Sequence, residues 1–226
     1  MECLFYIMES NSRMVRWVVW SGLLLVILAI CFAFVREKRT SISSSNSPAS
    51  TKERVLPIIS ELSDFNLTNQ LSEPVGLEKF VGKVWFADIV FTRCPGPCPV
   101  MTKRMAELQS YYKDNQNVAF VTLTTDPEFD TPEIMKRFAI SHGAKSRNWD
   151  FLTGEKSEIV RLAVDELKLT VLDKPEREQV SPEDMFIHSS YFVVLDKQGR
   201  LRGALESLEE GWKEKAIDIA TELLGK

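Results

Sequence analysis

The chain has 226 residues, 44% of them hydrophobic, which is enough for one ordinary globular domain with its own core. Residues 57–226 carry 21 basic against 28 acidic side chains, a net charge of −7, and this excess of acid disfavours nucleic-acid binding. The same region contains only two cysteines, Cys94 and Cys98, so a framework of structural disulfides is also excluded.

The first part of the chain is dominated by one long apolar segment. Residues 17–35 are nineteen consecutive residues without a charge, about the length that spans a bilayer. The sequence therefore predicts an N-terminal tail at 1–16, a transmembrane helix at 17–35 and a flexible Ser-rich tether at 36–56. A cleaved signal peptide is disfavoured by the bulky residues at the exit, and lipidation at Cys31 is a minor alternative. Basic residues flank both ends, so charge bias does not fix the orientation.

The folded domain, residues 57–226, is predicted to alternate strands with helices. In chain order the pattern predicts a short strand or hairpin at 64–71, an apolar strand at 84–91, a helix with Met101, Met105, Leu108 and Tyr112 on one face, a strand at 118–124, a helix opened by Thr131, a helix at 155–167, a hairpin of strands at 191–195 and 201–206, and a last helix with Trp212, Ala216, Ile219, Ala220 and Leu223 on one face. This order is typical of an α/β, thioredoxin-like fold, in which helices flank a central mixed sheet.

Two cysteines follow the first apolar strand, in a segment at 94–99 that reads CPGPCP. The alternating prolines keep this loop out of helical conformation, and Pro99 suits the first position of the next helix. Cys98 would then lie close to that helix N-terminus, where the helix dipole favours thiolate over thiol. Thiolates bind Cu(I) and are also the nucleophiles of disulfide exchange, so the spacing leaves both chemistries open.

Two histidines are the candidates for a nitrogen ligand. His142 is expected at a helix end beside Gly143, where the dipole and the glycine cap account for it as a structural surface residue. His188 precedes the strand at 191–195, where loops of such a sheet can approach the cysteine loop. Two thiolates and one imidazole suit Cu(I) and, with distortion or a further ligand, Cu(II), whereas a structural zinc site needs a fourth ligand.

Several motifs together resemble the Sco/SenC family of copper proteins that help to assemble cytochrome c oxidase. They are the cysteine segment at 91–99, the run TDPEFDTP at 125–132, the run WDFLTG at 149–154, and His188. The matching pieces cover most of residues 57–210. The resemblance implies an N-terminal anchor, a thioredoxin-like domain facing the periplasm or the mitochondrial intermembrane space, and copper bound by Cys94, Cys98 and His188.

The function implied by this resemblance is that of a copper metallochaperone, which is not an enzyme. It would pass copper by ligand exchange to the copper-accepting subunit of the oxidase or to another cuproprotein. A thiol-disulfide reductase, with Cys94 and Cys98 cycling through a disulfide, and a redox or copper sensor would use the same residues and stay open as alternatives.

Four further positions bear on the site. Asp126 and Asp130 match an acidic pair of the family, although turn and helix-cap chemistry is the preferred interpretation of both. Gly96 stands where the family often has Asp, and Arg93 where it often has His. The absence of that acid and the presence of a cation are expected to favour thiolate further.

Overall fold

The computed structural model describes residue 17 and residues 20–32, 56–145, 148–173, 177 and 186–225, without the side chains of 171–173 and 186–188. The chain divides into two compact units, Met1–Arg54 and Val55–Lys226.

The described part of the first unit is residue 17 and a helix over residues 20–32 (α1), all with exposed side chains. Within the described residues, no helix is both long and apolar enough to cross a membrane. The predicted span at 17–35 lies only partly inside the described residues, while the predicted tail at 1–16 and almost all of the tether at 36–56 lie outside them. The transmembrane anchor therefore stays a prediction.

A six-stranded mixed sheet forms the centre of the second unit. The described strands of this unit, in chain order, are β1 (Ser60–Glu61), β2 (Leu67–Thr68), β3 (Pro74–Val75), β4 (Val84–Val90), β5 (Val118–Thr124), β6 (Trp149–Leu152), β7 (Val171–Asp173), β8 (Phe186–His188), β9 (Tyr191–Leu195) and β10 (Arg200–Glu206). Six of them form the central sheet in the order β1-β10-β9-β4-β5-β6, with β4, β5 and β6 parallel and β9 antiparallel to β4. The remaining described strands form two separate pairs, β2 with β3 and β7 with β8.

The sheet separates two apolar cores. The helices are α2 (Cys98–Tyr111), α3 (Pro132–Ser141), α4 (Lys156–Val160) and α5 (Trp212–Leu224), with a 3₁₀ helix at Leu77–Lys79 and a π-helix at Arg161–Glu166. Side chains of β4 alternate between the cores: Phe86 and Val90 join the core of α2, α3 and α5, and Trp85 and Ile89 join the core of the π-helix. The predicted α/β thioredoxin-like arrangement, a mixed sheet flanked by helices, is confirmed.

The predicted strands at 84–91, 118–124, 191–195 and 201–206 agree with β4, β5, β9 and β10 to within one residue. The strand or hairpin expected at 64–71 consists of β2 and β3 and extends to Val75, and β1, β7 and β8 were not predicted. The helix predicted from Thr131 begins with that residue as its N-cap and Pro132 in its first turn. The strand at Trp149–Leu152 was not predicted. The single helix expected at 155–167 is a short α-helix that continues as a π-helix.

A buried ion pair fixes the start of the second unit. Arg202 pairs with Asp196 at 2.7 Å, and both side chains are almost fully buried. The same guanidinium donates to the backbone carbonyl of Pro57 at 3.1 Å and to that of Leu56. The first described residues of this unit are thereby tied to β10.

Candidate functional site

The two cysteines lie between the end of β4 and the start of α2. The N–H of Cys94 donates to the carbonyl of Phe91 at 3.1 Å, and this closes a four-residue segment, the cysteine turn. Residues 95–96 are exposed, and α2 begins at Cys98. The predicted position of Cys98 at the helix N-terminus is therefore confirmed, with Pro99 in the first turn, where its missing N–H costs no hydrogen bond.

The two thiols differ in exposure. Cys98 is 0% exposed and belongs to the same core as Met101 and Met105, whereas Cys94 is half-buried at the edge of that core. The N–H of Gly96 donates to Sγ of Cys94 at 3.4 Å. No disulfide joins the two sulfurs. Cys94 is thus the thiol that a partner or a reagent can reach first.

Burial reverses the expected ionisation of Cys98. Transfer into the core raises the pKa of the Cys98 thiol far above its ordinary value, and the hydrogen bond with Cys94 and the charge that Cys94 can carry raise it further. A helix N-terminus stabilises a surface anion by about 0.3–1 kcal/mol, whereas burying an unpaired charge costs far more. The prediction of a thiolate at Cys98 is therefore wrong for the metal-free protein, in which Cys98 is a neutral thiol at pH 7.

In reduced, metal-free protein, iodoacetamide is expected to modify Cys94 at least about tenfold faster than Cys98, because the reagent reacts with an accessible thiolate and Cys98 is fully buried and protonated. Mass spectrometry of peptides after timed exposure measures the two rates. In denaturant the rates should converge, which controls for reagent and sequence effects. Equal rates in the folded protein would contradict the shielding of Cys98.

A buried carboxylate ties the cysteine turn to the end of β5. Asp130 is 0% exposed and accepts the N–H of Thr92 at 3.1 Å, the hydroxyl of Thr92, and the hydroxyl of Thr124 at 2.5 Å. The N-cap of α3 is instead Thr131, whose side chain accepts the N–H of Ile134. The interpretation of the Asp130 side chain as turn or cap chemistry is therefore wrong.

Arg93 forms a second link from the cysteine turn to the same segment. Its guanidinium donates to the carboxylate of Asp126 at 2.6 Å and lies 3.9 Å over the ring of Phe129. Because Asp126 offsets the positive charge of Arg93, the expectation that this cation favours thiolate stays a prediction. The Asp126 carboxylate likewise serves this ion pair and not a helix cap.

The backbone of His188 lies at the same end of the sheet as the cysteine turn. His188 is the last residue of β8 and pairs with Val171 of β7. β9 starts three residues later and runs antiparallel to β4, with Val193 opposite Ala87. The start of β9 therefore adjoins the end of β4. The side chain of His188 lies outside the described set, so its role as a ligand stays a prediction.

His142 has the structural role expected of it. It is half-buried at the end of α3, its Nδ1 lies 2.8 Å from the carbonyl of Phe138, and its ring lies 4.2 Å from the ring of Phe138. Among the described side chains, which do not include that of His188, no three His, Cys, Asp or Glu residues are grouped to hold a metal ion.

The family model described as SCO1/SenC matches residues 59–224. The chain belongs to the SCO1/SenC family. A Bacillus subtilis relative described as a SCO1 protein homolog is 38% identical over 147 residues, which cover 64% of this chain and 73% of that protein.

Solved Sco structures share the fold. A SCO1/SenC family lipoprotein from Bacillus anthracis has 34% identity and a TM-score of 0.66, covering 74% of this chain and 97% of its own. BsSco, described as a Sco-family cytochrome c oxidase assembly protein with a disulfide switch, has 34% identity and a TM-score of 0.63, covering 74% of this chain and 95% of its own. Bradyrhizobium japonicum ScoI, solved with copper bound, has 23% identity and a TM-score of 0.59, covering 71% of this chain and 98% of its own, a likeness that shows the fold.

Two features of this Sco domain were missed at the level of sequence. They are the Asp130 tie to Thr92 and the pairing of Arg93 with Asp126. The available signal was the TDPEFDTP run, which places two carboxylates directly after a buried strand. Their partners lie on the cysteine turn, distant along the chain, so local patterns do not pair them.

Proposed function

We propose that this Sco-family protein is a copper metallochaperone, which binds copper through Cys94, Cys98 and His188 and delivers it during assembly of cytochrome c oxidase. One observation carries the proposal: two thiols of unequal exposure flank a single loop at the end of the sheet where the backbone of His188 also lies. A buried sulfur can retain a metal ion while an accessible sulfur admits and releases it.

The donor set fits copper better than zinc. Two thiolates and an imidazole are ligands that Cu(I) accepts, and Cu(II) accepts them with distortion or a further ligand. A structural zinc site takes four ligands, and the other histidine of the chain, His142, is engaged at the end of α3. Copper binding must release the thiol protons. The ion then supplies the positive charge that makes a thiolate at Cys98 tolerable in the core.

Transfer follows from the difference in exposure. An incoming ligand of the acceptor protein can replace the half-buried Cys94 first, while Cys98 still holds the ion. Release from Cys98 completes a ligand exchange that needs no change in the oxidation state of copper. The acceptor is the copper-binding subunit of the oxidase or another cuproprotein.

The proposed location is a membrane surface, with the domain facing the periplasm or the mitochondrial intermembrane space. The uncharged segment at 17–35 would anchor the chain, and the tether at 36–56 would give the domain reach. The description of the Bacillus anthracis relative as a lipoprotein supports membrane attachment.

The second candidate function is thiol-disulfide reduction of a partner. The hydrogen bond between the two thiols and the disulfide switch described for BsSco favour it. The Cys94 thiolate would attack the partner's disulfide and Cys98 would resolve the mixed disulfide. The partner gains two thiols, and this protein is left with one disulfide. A redox or copper sensor would use the same chemistry.

The test is the copper content of the whole chain, purified in mild detergent, reduced and kept free of oxygen. We expect about one Cu(I) per chain to resist a competing chelator, and zinc not to displace it. A Cys94→Ser/Cys98→Ser variant controls for adventitious copper. Failure of the reduced protein to retain copper above this control would sink the metallochaperone and leave the reductase.

A further inference from the structure

Asp130 is a buried acid whose contacts, within the described residues, include no basic side chain. No lysine or arginine among the described residues pairs with it, and its contacts are the hydroxyls of Thr92 and Thr124 and the N–H of Thr92. Burial raises the pKa of Asp130, and the hydrogen bonds from Thr124 and Thr92 oppose that rise. Burying a carboxylate without a cation costs free energy, and the three hydrogen bonds that Asp130 accepts offset part of that cost. These bonds fix the positions of the Thr92 and Thr124 donors.

The donors of Thr92 belong to the turn that carries Cys94. The N–H of Thr125 donates to the carbonyl of Val90 at 2.9 Å, so the last residue of β4, directly before the turn, is joined by its backbone to the residue after β5. The N–H of Asp126 donates to the hydroxyl of Thr124 at 3.0 Å, which continues the chain of bonds into the β5–α3 loop.

The other sulfur, that of Cys98, is held by α2 and its core. Cys98 is the first residue of α2 and lies inside the core with Met101 and Met105. The hydroxyl of Thr102 donates to the carbonyl of Cys98 at 2.9 Å. Cys98 thus moves with α2, whereas Cys94 moves with the cysteine turn. The separation of the sulfurs depends on how firmly that turn is held.

We propose that Asp130 is a positioning residue for Cys94, which by holding Thr92 keeps the sulfur of Cys94 within bonding reach of Cys98. Loss of the tie leaves the cysteine turn with more conformations, and both disulfide closure and two-sulfur copper binding must then pay for ordering it. The copper part of this inference rests on the proposed function, whereas the disulfide part does not.

The variants are chosen to separate position from charge. Thr92→Val removes the hydroxyl and leaves the Asp130 carboxylate and the Thr92 N–H in place, whereas Thr92→Ser restores the hydroxyl. Asp130→Asn removes both the charge and one acceptor. Asp150→Asn is the matched control, because Asp150 is also a buried acid but contacts Asn69 at 2.9 Å and Lys79 at 2.7 Å, away from the cysteine turn.

Two equilibria are measured on the whole chain in detergent, with circular dichroism to establish that each variant is folded. The first is disulfide formation with glutathione, in which each protein disulfide converts one oxidised glutathione into two glutathione thiols. We expect Thr92→Val to lower this equilibrium constant about tenfold, or about 30 mV, and Cu(I) affinity about tenfold, in the range found for residues that support metal ligands. Thr92→Ser and Asp150→Asn should match the parent protein.

Two results would overturn the inference. One is a folded Thr92→Val protein with both equilibria unchanged. The other is an Asp130→Asn protein that binds Cu(I) more tightly while Thr92→Val is unchanged, because the carboxylate would then act through its charge. If the parent protein retains no copper but Thr92→Val still lowers the disulfide equilibrium constant, the metallochaperone fails and the positioning role of Asp130 stands.

Discussion

The His188→Ala protein is expected to lose copper affinity by more than about 100-fold while Cys94 and Cys98 still form and exchange a disulfide. Loss of a residue that supports a metal ligand typically costs about 10–100-fold in affinity, and loss of a ligand itself should exceed that. Disulfide exchange requires only the two sulfurs. Competition with a chelator measures the first property, and reoxidation by oxidised glutathione measures the second.

The chain offers a matched control for this substitution. His142 is engaged with the carbonyl of Phe138 at the end of α3, so His142→Ala should retain copper. If His188→Ala held copper as tightly as the parent protein, the set of two sulfurs and one imidazole would be wrong. If it also lost disulfide exchange, the substitution would have disturbed the cysteine turn itself.

Long apolar segments explain why most of the fold was predictable. Every residue of β4 and of β5 is buried, because both strands are covered on two faces by helices or loops. Such strands read as long, mainly apolar runs, interrupted in β4 only by Asp88, and their seven-residue length makes them recognisable from composition. The start of α3 was equally clear, since a Thr-Pro pair satisfies the requirements of an N-cap and a first turn locally.

Short or compositionally mixed elements were not predictable in the same way. β6 has four residues and contains Asp150, whose carboxylate is satisfied by Asn69 and Lys79 from the segment around the β2–β3 pair. These four residues form a strand because they pair with β5, and a local sequence pattern does not predict that pairing. The π-helix at Arg161–Glu166 departs from the α-helical period on which the prediction of this segment rests.

In the candidate site, too, the features set by local sequence were predictable and those set by long-range contacts were not. The cysteine segment was predictable because prolines and a helix start act locally. The tie from Asp130 to Thr92 joins residues 38 positions apart, and its geometry exists only after β4 and β5 pair. The ionisation of Cys98 was misjudged for the same reason: the dipole of α2 can be inferred from sequence, but complete burial of the sulfur cannot.

Because Cys98 is buried, the stability of the metal-free protein is expected to fall at alkaline pH. In the unfolded chain the Cys98 thiol has its ordinary pKa of 9.0 and loses its proton as the pH rises past that value. In the native, metal-free state the buried thiol keeps its proton. The native state therefore binds more protons than the unfolded state above pH 9, and the free energy of unfolding must fall as pH rises.

From pH 9 to 10.5, reduced and metal-free protein is expected to lose about 2 kcal/mol of stability through Cys98, since one pH unit of differential protonation is worth about 1.4 kcal/mol. Denaturant unfolding of the parent and of Cys98→Ala at both pH values isolates this contribution, because Cys98→Ala lacks it. Burial also raises the pKa of Tyr112 to about 12, which adds a loss of the same sign to both proteins and cancels in the comparison. Equal losses in the two proteins would mean that Cys98 is already ionised in the native state. Copper loading should flatten the slope of the parent protein, because a thiolate bound to the metal has no proton left to lose.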